Sequence, residues 1–476
     1  MEAQLNQKSD KIRKIKDASI LIGLVFLGVF LHIYHNYKLQ AFKPPFEPTS
    51  KSQHQNKAPQ NFTQKQENTA SNCLDESTNA AAGYKKAISM LVPLPDNFQE
   101  KTRDVINNGW DEDNEELKDI LTKNKDAIRE FKKAAKLPNC DFSFDNNPQE
   151  CPELRNYHNL ARLVIMEGRL YEKEGNLNAA LENYTSALNF IIHLTQQKSD
   201  KLLYSLYEKI TWGSIYTPLC QYINRGKINT KQCNLLLNTI ISLKKNITDP
   251  ESIYEQIKET RMQLFRKAIQ ETTDELKQHN YYDPTFYQQF SLEYDKLDDE
   301  FYRHLITAYR QNEPEKGTHD IEQLKERLRK ETKLSILVWN LTKRRLGLEA
   351  TNSAASSAKV FFTGQLMLLP SLTGYVTHHY LMISELNVLT TAAAIRLYEL
   401  ENGKTPLNLE ALTANYLSEL PEDPFDEFKP LKYKRENDKQ WLVYSLGPDK
   451  KDNNGSCRYG KGSSDKTGDI VFASSD

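Results

Sequence analysis

Residues 389–455 read LTTAAAIRLYELENGKTPLNLEALTANYLSELPEDPFDEFKPLKYKRENDKQWLVYSLGPDKKDNNG, and the hydrophobic period changes within them. Up to Asn402 the period is helical. Ala393, Leu397 and Leu400 fall on one side, and Gly403 ends the run. Beyond Pro430 the period is two. Leu431-Lys432-Tyr433-Lys434 and Trp441-Leu442-Val443-Tyr444 alternate as strands about a polar turn at Asn437-Asp438, and Ile470-Val471-Phe472 supplies a third. The expectation is a helix laid over a small antiparallel sheet.

The same segment carries four motifs in sequence. They are Tyr398-Glu399-Leu400-Glu401-Asn402-Gly403-Lys404-Thr405-Pro406; Ala411-Leu412 with Tyr416-Leu417; Leu420-Pro421-Glu422-Asp423-Pro424-Phe425; and Tyr444-Ser445-Leu446-Gly447-Pro448-Asp449, closed by Gly468-Asp469-Ile470. In this order and spacing, residues 392–470 resemble the globular domain of the major pseudopilin of type II secretion systems. The resemblance implies a calcium ion in the loop after the Tyr-Ser-Leu-Gly strand, serving as a structural staple. Asp449 and Asp469 would be its carboxylate ligands, Asp452 lies between them, and the Leu446 carbonyl would join, since calcium takes six to eight oxygens. The chain departs from the family at Lys450, where the family has Gly, at Asn453 and Asn454, and in a longer stretch from Ser456 to Lys466 that includes Cys457. It also lacks the Gly-Phe processing site before its first apolar stretch, and no Glu enters that stretch. Processing and polymerisation like a pilin are therefore not expected.

Working back along the chain, apolar residues recur at three and four over residues 76–385, which reads as an α-helical bundle or irregular solenoid. Ile253, Ile257, Leu264, Phe265, Ala268, Ile269 and Leu276 form one stripe, after an Asp249-Pro250 start. Phe286, Phe290, Tyr294, Leu297, Phe301 and Leu305 form another, read as core. Within Leu160–Leu194, Gly168, Tyr171, Gly175, Ala180, Tyr184 and Ala187 stand at positions that resemble one tetratricopeptide repeat. Val164 replaces its usual Trp, Ile192 its usual Pro, and no second copy follows, so the reading is a helical hairpin and not an array. Residues 360–383 are apolar but interrupted by Gln365, Pro370, Ser371, Thr373, His378 and His379, and read as a buried helix pair.

At the other end, residues 18–36 contain the uncharged run Ile20–Tyr34, about one bilayer span. Lys8, Lys11, Arg13, Lys14 and Lys16 precede it, which keeps residues 1–17 in the cytoplasm and exports the rest. His32-Ile33-Tyr34-His35-Asn36-Tyr37 offers no small residues for a signal-peptide cut, so the span reads as an uncleaved anchor. Residues 37–75, rich in Gln, Asn, Lys, Ser and Pro, read as a flexible tether. The organisation expected is thus a mainly α chain with an N-terminal transmembrane helix, an exported helical domain to 385, and a small α+β domain at 386–476.

Of six cysteines, the close pairs Cys140 with Cys151 and Cys220 with Cys233 are the disulfide candidates. No CxxC or His/Cys cluster at ligand spacing points to zinc. The 63 Lys and Arg against 64 Asp and Glu give a net charge of −1, which argues against a nucleic-acid partner. No GxSxG, HExxH, P-loop or dinucleotide motif is present, so no catalytic residue is nominated. The expected function is a non-enzymatic protein of the bacterial inner membrane, with one span and its bulk in the periplasm, that binds protein partners through a calcium-stabilised head. The alternatives are a genuine secretion or pilus component, and a hydrolase with its site in the helical body.

Overall fold

The computed structural model describes residues 78–110, 114–142, 154–198, 200–224, 227–253, 352–437, 439–459 and 467–474, with isolated positions at 255, 256, 259, 323 and 326; over 352–374 and at 376 it describes the backbone alone. All of these belong to one compact unit, Cys73–Asp145 with Pro152–Asp476. The expected span at 18–36 and tether at 37–75 lie outside the described residues. So do the stripes at 253–276 and 286–305, apart from Ile253. Among the described residues no helix is long and apolar enough to cross a membrane.

Four short helices come first: α1 (Ala80–Ser89), α2 (Phe98–Asn108), α3 (Glu115–Lys123) and α4 (Lys125–Ala134). Longer ones follow: α5 (Leu154–Lys173), α6 (Leu177–Thr195), α7 (Lys201–Asn224), α8 (Thr230–Asn246) and α9 (Asn352–Asn402). Local chemistry sets several starts. Asn79 accepts from the Ala81 amide, Asn176 from the Ala179 amide, and Asn229 with Gln232 forms a reciprocal capping box at α8.

Helices α5 and α6 form the hairpin expected at 160–194. Gly175 turns it at φ +77°, and Gly168 lies against the Tyr184 ring so closely that a Cβ there would sit 2.7 Å from a ring carbon. One core gathers Tyr84, Phe131, Phe142, Tyr157 and Phe190 from α1, α4, α5, α6 and the segment after α4. A second core takes in Ile106 of α2 and Ile165 of α5 and continues through α6, α7 and α8 into α9 and the C-terminal strands.

The expected helix pair at 360–383 is a single helix. Helix α9 runs through Pro370 and on to Asn402, so the boundary drawn at 385/386 falls inside it. A proline removes one backbone donor and bends a helix, but tertiary packing can carry the helix past it. From Leu386 to Ile395 the helix is buried all round, with Ala392, Ala393 and Ala394 allowing close approach on every side. After a 3₁₀ turn at Leu409–Leu412, β1 (Glu422–Asp423) pairs antiparallel with β2 (Lys429–Pro430). Strands β3 (Lys432–Arg435), β4 (Trp441–Ser445) and β5 (Ile470–Ala473) form an antiparallel sheet in that order. The expected helix over a small sheet is therefore present, and the β1–β2 ribbon is an addition to it.

Candidate functional site

The loop between β4 and β5 is held by its own aspartates. Asp449 Oδ2 accepts from the Gly468 amide at 2.9 Å, and its Oδ1 from the Lys451 amide at 3.3 Å. Asp469, fully buried, accepts from the Gly455 amide at 2.7 Å and the Asn453 amide at 3.3 Å. Asp452 Oδ1 accepts from the Asn454 amide at 2.8 Å and the Tyr444 hydroxyl at 3.1 Å. Lys434 Nζ donates to the Asn454 carbonyl at 3.2 Å and its side-chain oxygen at 2.8 Å, which places an ammonium over the loop. Two glycines are required where the loop crosses itself. A Cβ on Gly447 (φ +71°) would lie 2.2 Å from the Gly468 carbonyl oxygen, and one on Gly468 (φ +107°) 2.7 Å from that of Cys457.

Burial raises the Asp469 carboxyl above the ordinary range; its two amide donors oppose this, and the charges of Asp452 and Asp449 add to it. The aspartates named for calcium thus lie near one another, but their oxygens are turned onto main-chain amides. The Leu446 amide donates to Asp423 Oδ2 at 2.8 Å. Among the described residues no group of three or more His, Cys, Asp or Glu side chains is placed to hold a metal ion. In this arrangement the carboxylate oxygens of Asp449, Asp452 and Asp469 are given to main-chain amides and the Tyr444 hydroxyl, whereas calcium takes six to eight converging oxygens.

Asp423, part of the Leu420–Phe425 motif, is almost completely buried. Its Oδ1 accepts from the Ser445 hydroxyl at 2.7 Å and the Phe425 amide at 2.9 Å. With the Leu446 amide on Oδ2, this one carboxylate ties β1 to the end of β4. Burial raises its pKa and the three donors pull it back.

The cysteines also differ from expectation. Cys220 and Cys233 are free thiols, so the bridge expected between them is not formed. The Cys233 thiol turns instead to α9 and donates to the Ala393 carbonyl at 3.3 Å. Cys140 is a buried free thiol, and Cys151 lies outside the described residues.

The polar groups that sequence reasoning missed lie in the seam between α7 and α9. Trp212 Nε1 donates to Glu385 Oε2 at 2.7 Å, and burial pushes the Glu385 carboxyl up to about 7 against that bond. Tyr216 and Cys220 follow Trp212 one and two turns along α7, and both feel the Glu385 charge; the Cys220 thiol is pushed up to about 12, first by burial. Tyr459, from the C-terminal loop, also feels Glu385, and the exposed Arg458 acts on Tyr216.

Further toward the start of α7, Lys209 Nζ donates to the Tyr375 hydroxyl at 3.0 Å and lies 4.0 Å from Glu208 Oε1. Glu208 Oε2 accepts from the Thr248 hydroxyl at 2.8 Å. Burial raises Glu208 and lowers Lys209, each opposed by the other's charge. The His379 imidazole is held at about 3 by burial and by Lys209. The available signal for these residues was an acid or a lysine inside a run of apolar helix, as in Met382-Ile383-Ser384-Glu385-Leu386.

A third polar group is closed on itself. Arg169 and Glu172, both fully buried, pair at 2.8 Å; Tyr184 donates to Glu172, and Arg169 donates to Gln221. No family model matches the chain, and neither a curated protein nor a solved structure matches it.

Proposed function

We propose that the chain is a non-catalytic, membrane-anchored protein of the bacterial cell envelope whose helical body and C-terminal head act as one piece and present the 446–459 loop to protein partners. The observation behind this reading is the shared core. The residues of β4 and β5 that face inward, among them Val443 and Phe472, join the same buried cluster as Leu236 and Ile240 of α8. Asn224 at the end of α7 donates to the Ala473 carbonyl at 2.7 Å, and Asn387 of α9 to the Glu422 carbonyl at 2.7 Å. A loop fixed by carboxylate–amide bonds on such a base has little conformational freedom left to lose on binding. Its exposed positions include Lys451, Ser456 and Arg458. The anchor in this reading is the 18–36 run, and the likeness to pseudopilins is one of fold, without polymerisation.

The test is a photoreactive residue at Lys451 in the native host, with Glu116 on α3 as the control position. Discrete cross-links at 451 that vanish in Asp469→Asn, where the loop is released, are the expected result. Identical adducts at both positions, or none at either, would sink the reading. Fractionation of the full chain beside one lacking residues 1–36 checks the anchor: the first should sediment with membranes and the second should not.

One observation favours the hydrolytic alternative. Glu208 and Glu385 in the helical body are both carboxyls raised by burial, the kind of group that serves as a general acid. Each is bonded to its own neutral donor, Thr248 or Trp212. Turnover of chromogenic esters, amides or phosphoesters that Glu385→Gln abolishes would favour that reading over the first.

A further inference from the structure

We propose that the crossing of α2, α5 and α7 in the helical body is a binding site for a phosphate-type oxyanion, with the Arg162 guanidinium as its floor and Arg103 and Arg155 at its mouth. Arg162 is 9% exposed. Its Nε donates to Thr102 Oγ1 at 3.2 Å, and its Nη2 to the same oxygen at 2.7 Å and to the Gln99 carbonyl at 2.9 Å. Its Nη1 donates to Ser214 Oγ at 3.0 Å. All of these acceptors are neutral, and among the described residues no carboxylate pairs with this cation. A guanidinium carries five N–H groups. Four are taken here, and one on Nη1 is left over. A buried charge ordinarily has a counter-ion, because pairing offsets the hydration it has lost. This crossing holds the cation in a neutral cradle and supplies no anion.

Two more arginines flank it. Gln99 Nε2 donates to Asn159 Oδ1 at 3.3 Å, which sets the start of α2 against one face of α5. Arg155, Asn159 and Arg162 follow one another on that face at spacings of four and three. On α2, Arg103 stands one turn after Gln99 and directly after Thr102. Arg103 and Arg155 are exposed, and neither side chain is ion-paired among the described residues. The acids beside Arg103 on α2, Glu100 and Asp104, are exposed too, and Asp104 accepts from Asn108. On the α7 side the approach is open. Gly213, next to Ser214, is exposed, with nothing within 4 Å of where a Cβ would stand. Helix α2 also starts without a side-chain cap from Asn97, which leaves the positive end of its dipole unopposed. Burial, and then the Arg103 charge, hold Arg162 down at about 10, the direction of a cation short of a counter-ion. Three guanidinium groups make an excess that a dianion matches better than a monoanion, and a planar fork meets two phosphate oxygens at once.

Inorganic phosphate is titrated calorimetrically into the full-length protein in non-ionic detergent, against chloride at fixed ionic strength. The variants are Arg162→Met, the double variant Arg103→Gln with Arg155→Gln, and Arg129→Gln. Arg129 is the control, an exposed arginine of α4 already paired with Asp126 at 3.0 Å. The parent should give a saturable one-site isotherm with a dissociation constant below about 1 mM. Binding should be lost in Arg162→Met, weakened by about tenfold or more in the double variant, and unchanged in Arg129→Gln. Acetate, a monoanion, should bind the parent about tenfold more weakly than phosphate. The proposal is overturned by a parent that does not saturate by about 10 mM phosphate, by a double variant that binds like the parent, by an equal loss in Arg129→Gln, or by acetate binding as tightly as phosphate. The double variant replaces exposed, unpaired side chains, so its comparison stands even where Arg162→Met does not fold.

Discussion

Asp469 shows what single residues do in the head. Its carboxylate is fully buried, and both oxygens accept main-chain amides of the loop. Hydrogen bonds to a charged acceptor contribute about 1.5–3 kcal/mol each, and removing the acceptor strands the donors. Asp469→Ala should therefore lower the unfolding free energy of the full chain by about 3 kcal/mol in a denaturant titration. Because the loop's aspartates are already occupied by amides, calcium against chelator should leave the melting temperature of the parent unchanged. A calcium-dependent rise that Asp469→Ala removes would restore these residues as ligands. Arg169 makes the same point for the body. Breaking a buried ion pair by removing one partner costs about 3–5 kcal/mol, since the other charge is left without compensation. Arg169→Met should show that loss, and Arg169→Met with Glu172→Leu should recover part of it.

Between elements, close approach decides the geometry. At the α5–α6 crossing the Tyr184 ring and the Asn183 side chain leave Gly168 no room for a Cβ. Gly168→Ala should cost about 1–3 kcal/mol by overpacking, despite alanine's better helix propensity, and denaturation of the single variant reads this directly. Helix α9 is the second case. It packs against α7 and α8 of the body and against β4 and β5 of the head, so its alanines serve four neighbours at once. The free thiols belong here too. The Cys233 thiol donates to the α9 backbone, and both it and Cys220 are free.

For the whole molecule, acid stability is a contest between buried groups of opposite sign. His158 is held at about 3 by burial and Arg162, His193 at about 4 by burial, and His379 at about 3. Each is neutral in the folded chain and takes up its proton more readily unfolded, with a reference value of about 6.5. Stability they contribute is full above pH 6.5 and is lost as pH falls, by about 2 kcal/mol each between pH 6.5 and 5. Glu385 works the other way. Its folded value of about 7 lies above the unfolded one, so its contribution is present at low pH and is lost as pH rises through 7. The three histidines lose more between pH 6.5 and 5 than Glu385 gains, although Glu208, Asp423 and Asp469, also raised by burial, act on its side; the chain should be less stable at pH 5 than at pH 6.5, as urea titrations at the two pH values will read. In Glu385→Gln the opposing contribution is gone, and the fall should steepen by about 2 kcal/mol.

The sequence by itself determined what depends on neighbours a few residues apart. The helical hairpin at 160–194, the stop at Gly403, and the alternation that makes β3, β4 and β5 were all legible there, because periodicity and turn chemistry act locally. Tertiary structure alone decided the rest. Glu422 and Asp423 look alike on paper, yet one is exposed and the other is sealed beneath Ser445 and Leu446, because only folding brings β4 across β1. The same holds for Glu385, whose importance comes from a tryptophan 173 residues away. Pro370 suggested a break that the helix runs through, and close cysteine spacing suggested a bridge where Cys220 and Cys233 are free thiols. Burial, charge and the choice of hydrogen-bond partner are set by residues remote in the chain, and no local pattern records them.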